Sequence, residues 1–210
     1  MDKQFAIFDM DGTLIDSMIF WKNLASEYLS GKGVKQIPEE ILERIKPMTM
    51  SESAALFQQE FGLSGDPEAE MNAMMDAHYQ NDIPLKPGAR KYLQKLRSRG
   101  VRMCVASATA ESLMEACLKR LGVRNYFEFL LSCESVGAGK SSPLVYRESA
   151  RRLDAAPAEI AVYEDALYAV QTAKTAGYYV IGVYEDSASM NWQTIESIAD
   201  EVVLNWEEIV

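Results

Sequence analysis

A handful of residues in this sequence could do chemistry, and all but one lysine sit at the end of an apolar run. Asp9 and Asp11 follow "FAIF" (5–8), separated only by Met10 and closed by Gly12-Thr13. Ser107 and Ala108 end the run "VRMCVAS" and the residue after it. Lys140 lies in Gly139-Lys140-Ser141, and Glu164-Asp165 follow Ile160-Ala161-Val162-Tyr163. Burying one carboxylate is costly and gathering several like charges costs more. Four acids with one lysine therefore ask for a divalent cation. Oxygen-only ligands, with no His or Cys nearby, favour a hard ion, and Mg²⁺ is the expected one. A cation held by a few carboxylates keeps positions open for phosphate oxygens. Lys140 and Ser107 would grip the remaining oxygens.

These residues converge only if the elements that carry them lie side by side. After "FAIF" the chain changes character. Residues 17–80 show helical spacing and no convincing strand. Met18, Trp21, Ala25 and Tyr28 are expected on one helix face, closed by Gly31-Lys32-Gly33. Pro38 opens a second helix with Glu39 and Glu40 in its first turn. Residues 51–62 and 66–80 supply two more, the last started by Asp66-Pro67.

From residue 84 onward, helices alternate with β-rich runs. Strands are expected at 101–107, 127–132, 160–165 and 178–184, with a last one near 201–203. Helices are expected at 87–100, 111–122, 142–154 and 166–177. That alternation predicts an α/β fold with a doubly wound parallel sheet. Its ligands bind beyond the carboxyl ends of the strands. The expected division is a core from residues 1–15 and 83–210, interrupted by an all-helical domain at 16–82.

Composition narrows the partners. The 210 residues are 48% hydrophobic and carry a formal net charge of -10. A core of ordinary size is within reach, and no basic stripe offers a surface to nucleic acid or an anionic membrane. No apolar stretch approaches the roughly 18 residues of a membrane span, and no secretory leader is evident. Cys104, Cys117 and Cys133 form no CxxC pair and no metal-ligand spacing, so a reduced, cytoplasmic protein is expected.

"DMDGTLIDS", "VASAT", "GKSSP" and "YEDALYAVQTAKTAG" together resemble, in order, the four motifs of the haloacid dehalogenase-like hydrolases. The resemblance spans nearly the whole chain. It is closest to the phosphatase and β-phosphoglucomutase branch, with a Rossmann-like core and a helical cap after the first strand. It implies a Mg²⁺-dependent phosphatase that hydrolyses a small phosphorylated metabolite through an aspartyl-phosphate. On this reading Asp9 is the nucleophile and Asp11 the general acid/base. Ser107, Ala108 and Lys140 bind phosphate, and Asp9, Asp11, Glu164 and Asp165 surround the metal. Asp9 and Asp11 would lie on the same side of an extended strand end. One can attack phosphorus while the other protonates the leaving oxygen and then activates water. Thr13 is expected to orient a carboxylate through its hydroxyl.

The sequence departs from the family pattern in three places. Gly-Lys-Pro-x-Pro-Asp is here Gly139-Lys140-Ser141-Ser142-Pro143-Leu144, so the aspartate is lost and the lysine kept. Ala169 replaces a common glycine in the last motif. In β-phosphoglucomutases a histidine at the start of the cap and a cap arginine serve the sugar. The matching positions here are Trp21 and Met50, which argues against phosphomutase activity, the main alternative. Trp21, Lys46, Met48, Thr49 and Met50 are the candidate substrate-specificity residues, although Trp21 equally suits the cap core.

Other readings account for less. An EF-hand loop needs glycine at its sixth position, and Gly12 falls at the fourth. "GAGKS" would suit a P-loop kinase only with glycine where Glu134 stands. Glu164 and Asp165 could simply favour a helix start. A non-catalytic phosphate-binding protein would use the same groups without turnover.

Overall fold

The computed structural model describes residues 2–45, 48 and 50–209. The chain divides into two compact units, Met1–Ser17 with Ile83–Val210, and Met18–Asp82. The first division falls two residues later than the sequence suggests. The Asp16 amide bonds to the Pro84 carbonyl at 3.0 Å and Ile15 bridges Leu85, which ties both residues to the α/β unit.

In the α/β unit, six strands form one parallel sheet. They are β1 (Phe5–Phe8), β2 (Arg102–Ser107), β3 (Leu130–Ser132), β4 (Ile160–Glu164), β5 (Tyr179–Val183) and β6 (Glu201–Val203), in the order β3-β2-β1-β4-β5-β6. β1 is therefore central. The chain winds outward from it first through β2 and β3, then returns to its other side for β4 to β6. The reversal lies between β1 and β4, the topological switch point where this class of sheet opens a crevice. β1 and β4 read as near-continuous apolar runs because helices cover both faces. Ile7 faces a core of Cys104, Leu131, Tyr146, Val162 and Ile195. Its neighbour Phe8, pointing the other way, stacks on Tyr163 with centroids 4.2 Å apart.

In chain order the α-helices among the described residues are α1 (Met18–Gly31), α2 (Glu39–Ile45), α3 (Met50–Phe61), α4 (Pro67–Asn81), α5 (Ala89–Ser98), α6 (Glu111–Arg120), α7 (Cys133–Val136), α8 (Leu144–Leu153), α9 (Leu167–Thr175) and α10 (Trp192–Ile198). α1 to α4 make up the second unit, where α4 packs against both α1 and α3. Asp66 caps α4 by accepting the Ala69 amide at 3.0 Å, and Pro67 opens its first turn. α4 buries Pro67, Met71, Met75 and Tyr79, one residue per turn. The expected stripe on α1 is corrected. Its buried positions are Leu24, Tyr28 and Leu29, while Trp21 is exposed. Trp21 instead reaches Tyr79, donating its indole N–H to the phenol oxygen at 3.3 Å.

Three further differences have local causes. β3 is only three residues long, although Glu128 and Phe129 still bond to β2 through the Met103 carbonyl and the Val105 amide. α7 is a single turn, started by the Ser132 hydroxyl accepting from the Glu134 amide, too short to show a period. α10 is only seven residues long, so Trp192, Ile195 and Ile198, which pack on the core, give too short a period to read. It fits because β5 offers Gly182 there. A Cβ at that position would lie 2.7 Å from Ile195 Cγ2.

Candidate active site

β1 and β4 are hydrogen-bonded neighbours, so their carboxyl ends carry Asp9 and Glu164-Asp165 to the same crevice. The Asp9 amide bonds to the Tyr163 carbonyl at 3.0 Å, extending the pairing one residue past β1. Carboxylate oxygens of Asp9, Glu164 and Asp165 lie within 4.8 Å of one another, all three buried. Gly12, at φ 75°, turns the chain immediately after Asp11. The Leu14 and Ile15 amides then both bond back to the Met10 carbonyl. Thr13, fully buried in this turn, donates its hydroxyl to Asp165 Oδ1 at 3.2 Å.

Lys140 is the buried counter-charge. Its Nζ pairs with Asp9 Oδ1 and, at 2.6 Å, with Glu164 Oε1. Tyr146, from α8, donates to the same Glu164 oxygen at 2.8 Å. Leu144, where the family pattern has an aspartate, is exposed, and Lys140 is held by Asp9 and Glu164 instead.

Asp11 stands apart from the three clustered carboxylates. Its Oδ1 accepts from the Ser17 hydroxyl at 2.7 Å, and its Oδ2 from Thr109 Oγ1 at 2.7 Å. Ser107, at the end of β2, is buried. Its hydroxyl accepts the Thr109 amide at 3.1 Å and approaches Asp11 Oδ2 at 3.4 Å. Ala108 is exposed at the strand end.

Burial dominates the electrostatics. It pushes the Asp9 carboxyl up, against the attraction of Lys140, and the nearby Asp11 charge adds to the rise. Burial raises Glu164 to about 8, with Lys140 opposing and Asp9 reinforcing the shift. It raises Asp165 to about 7, helped by the charge on Asp9. Burial would lower Lys140, but Asp9 and Glu164 outweigh it and hold the ammonium well above its usual range. A cluster with three carboxylates against one ammonium is short of positive charge. Its oxygen-only donor set fits a hard divalent cation.

Among the specificity candidates, Trp21, Met48 and Met50 line one cavity of about 750 Å³ inside the helical unit, together with Leu42, Phe57 and Met71. Lys46 and Thr49 lie outside the described residues. Inspection of the sequence missed the role of Tyr146, whose helical position reads as plain core. It also missed Ser17 and Thr109 as partners of Asp11. Thr109 directly follows Ala108 and Ser17 closes the motif "DMDGTLIDS", and those positions were the available signal.

An open parallel sheet with carboxylates gathered at its switch point defines an α/β enzyme of the doubly wound class. The sequence profile of the haloacid dehalogenase-like hydrolases matches residues 6–183, and the chain belongs to that family. It is 29% identical over 202 residues to the bifunctional riboflavin kinase/FMN phosphatase of Arabidopsis thaliana, covering 94% of this chain. It spans about half of that relative, 52% of its length. It is 24% identical over 207 residues to the phosphorylated carbohydrates phosphatase of Thermotoga maritima, with 95% of each chain covered. Among solved structures, CbbY from Rhodobacter sphaeroides in complex with phosphate matches at a TM-score of 0.68 and 25% identity. That match covers 99% of this chain and 96% of the other.

Proposed function

We propose that the chain is a Mg²⁺-dependent phosphatase that hydrolyses a small phosphomonoester through a phosphorylated Asp9. The observation that carries this reading is the buried group of Asp9, Glu164 and Asp165, with Lys140 paired to Asp9, at the switch point of the sheet. The phosphatases among the relatives support the reaction class.

In this reading Asp9 attacks phosphorus. The new Asp9–phosphorus bond forms as the bond to the leaving oxygen breaks, and Asp11 gives that oxygen its proton. Asp11 then takes a proton from water. The water oxygen bonds to phosphorus, the Asp9–phosphorus bond breaks, and phosphate leaves. The hydroxyls of Ser17 and Thr109 hold the Asp11 side chain in place. Lys140, Ser107 and the backbone at Ala108 hold the phosphoryl oxygens. Asp9 and Asp165 would hold the cation, with Glu164 beside them while Lys140 and Tyr146 occupy one of its oxygens. When bound, Mg²⁺ supplies positive charge against the phosphate and the carboxylates.

The helical unit serves as the cap that selects the substrate. That unit's own cavity, lined by Trp21, Met48 and Met50, suits an apolar or aromatic group. The reduced cytoplasm suits three cysteines that are free and buried. No helix among the described residues is long and apolar enough to cross a membrane.

The test is a panel of aromatic, aliphatic and sugar phosphomonoesters assayed with and without Mg²⁺, using the wild type and Asp9→Asn. Expected is Mg²⁺-dependent phosphate release that falls by about four orders of magnitude in Asp9→Asn, with the circular-dichroism spectrum unchanged. Release that persists in Asp9→Asn sinks the mechanism. A requirement for a phosphorylated activator would mark a phosphomutase, consumption of ATP a kinase, and phosphate binding without turnover a binding protein.

A further inference from the structure

The geometry points to Trp206, in the C-terminal segment, as a positioning residue for the carboxylate site, an inference that rests on the phosphatase reading. Trp206 is almost fully buried in a short turn (Trp206–Glu208) after β6. Its indole N–H donates to the Thr13 carbonyl at 3.0 Å. The hydroxyl of the same threonine holds Asp165. Two hydrogen bonds thus run from the far end of the sequence, through the turn that follows Asp11, to a carboxylate of the acidic cluster.

The indole is itself fixed in place. Its ring lies 5.0 Å from Tyr92, 5.8 Å from Tyr163 and 6.4 Å from Phe8, centroid to centroid. Phe8 immediately precedes Asp9, and Tyr163 immediately precedes Glu164. One ring therefore packs beneath both strand ends that deliver the acids. The segment around it is capped from within and anchored at two points. Asn205 Oδ1 accepts the Glu207 amide at 2.9 Å, and Lys95 donates to the Ile209 carbonyl at 2.8 Å. Gly88 lets the backbones touch, since a Cβ there would lie 2.5 Å from the Glu207 nitrogen.

Packing alone would need only an aromatic ring. The N–H does something more specific, because without it the buried Thr13 carbonyl loses the indole as its partner. A turn carrying an unpaired buried carbonyl shifts to find one, and the Thr13 hydroxyl moves with it. Hydrogen bonds that orient a metal-binding carboxylate change metal affinity by about 10–100-fold. The Trp206 indole N–H therefore sets the orientation of Asp165.

The experiment compares the wild type, Trp206→Phe, Thr13→Val, their double variant and Tyr92→Phe. Mg²⁺ affinity is measured by calorimetry, alongside Tm and the Mg²⁺ dependence of turnover. Expected for Trp206→Phe is Mg²⁺ binding weakened about tenfold, with kcat at saturating Mg²⁺ far less affected. The double variant should bind Mg²⁺ no worse than Thr13→Val, because both changes break one chain of contacts. Tyr92→Phe removes a hydroxyl from the same aromatic cluster, where it bonds Tyr163 at 2.7 Å. It should lower Tm and leave the Mg²⁺ affinity unchanged. If Trp206→Phe does not fold, benzothienylalanine at position 206 replaces the N–H by sulfur at nearly constant ring size and gives the same comparison. A lowered Tm with wild-type Mg²⁺ affinity, or additive losses in the double variant, overturns the positioning role alone. A wild type that binds no Mg²⁺ and releases no phosphate overturns the phosphatase reading and this inference with it.

Discussion

At the scale of single residues, Lys140 decides whether the acidic cluster is tolerable. It is buried with Asp9 and Glu164, and no other ammonium is bonded to those carboxylates among the described residues. Breaking a buried ion pair from one side is expected to cost about 3–5 kcal/mol, because the partner charges remain buried. Lys140→Ala should lose stability in that range by urea unfolding without divalent ions. Mg²⁺ should restore part of it, since the cation replaces positive charge; no recovery with Mg²⁺ would argue against the cation site. The missing aspartate of the lysine motif could not be evaluated from sequence. Position 144 is exposed, and the lysine takes its partners from two other strands' ends.

Elements supply two tests that do not touch the site. In β5, Gly182 admits α10, and Gly182→Ala forces a methyl against Ile195. Overpacking of this kind costs about 1–3 kcal/mol, and the midpoint of urea unfolding should fall accordingly. In the helical unit, His78 of α4 joins Asp82 at 2.8 Å and Glu27 of α1 at 3.2 Å. Partial burial works against its charge, but the bonds to Asp82 and Glu27 outweigh it and raise its pKa. Stability from this pairing is therefore fully present below the ordinary histidine pKa and is lost as pH rises through the raised folded-state value. Both acids are half exposed, so the contribution is at most about 1 kcal/mol. Comparing Tm of the wild type and His78→Gln from pH 5.5 to 9 should show the wild type ahead at the acid end and the gap closing above neutrality. A gap independent of pH would assign His78 to packing against Phe20 instead.

For the whole molecule, a cation that binds only the folded state stabilises it in proportion to the logarithm of its concentration, by about 2.7 kcal/mol at 100 times Kd. Tm should climb with Mg²⁺ in the wild type and stay flat in Asp165→Asn. EDTA should reverse the climb and abolish phosphate release. The net charge of -10 makes the bare crevice a poor host for an anionic ester. Substrate binding without a divalent ion should accordingly be much weaker, as an equilibrium titration with orthophosphate would show.

The sequence by itself determined the α/β class, the helical insertion and the residues that end the central strands. Those features are local: a strand's apolar run, a turn's glycine and an acid placed just after them are all written within a dozen positions. It determined the buried face of α1 poorly, because helical spacing names a face only once its neighbours are known. The tertiary structure alone decided how the acids are shared. Asp9, Glu164 and Asp165 cluster together, the first two paired with Lys140 and the third held by Thr13, whereas Asp11 turns to Ser17 and Thr109. It also decided that Tyr146 holds Glu164 and that Trp206 reaches back to Thr13. These contacts join residues up to 193 positions apart. Hydrogen-bond partners at that range follow from how strands are ordered in a sheet, which no local pattern encodes.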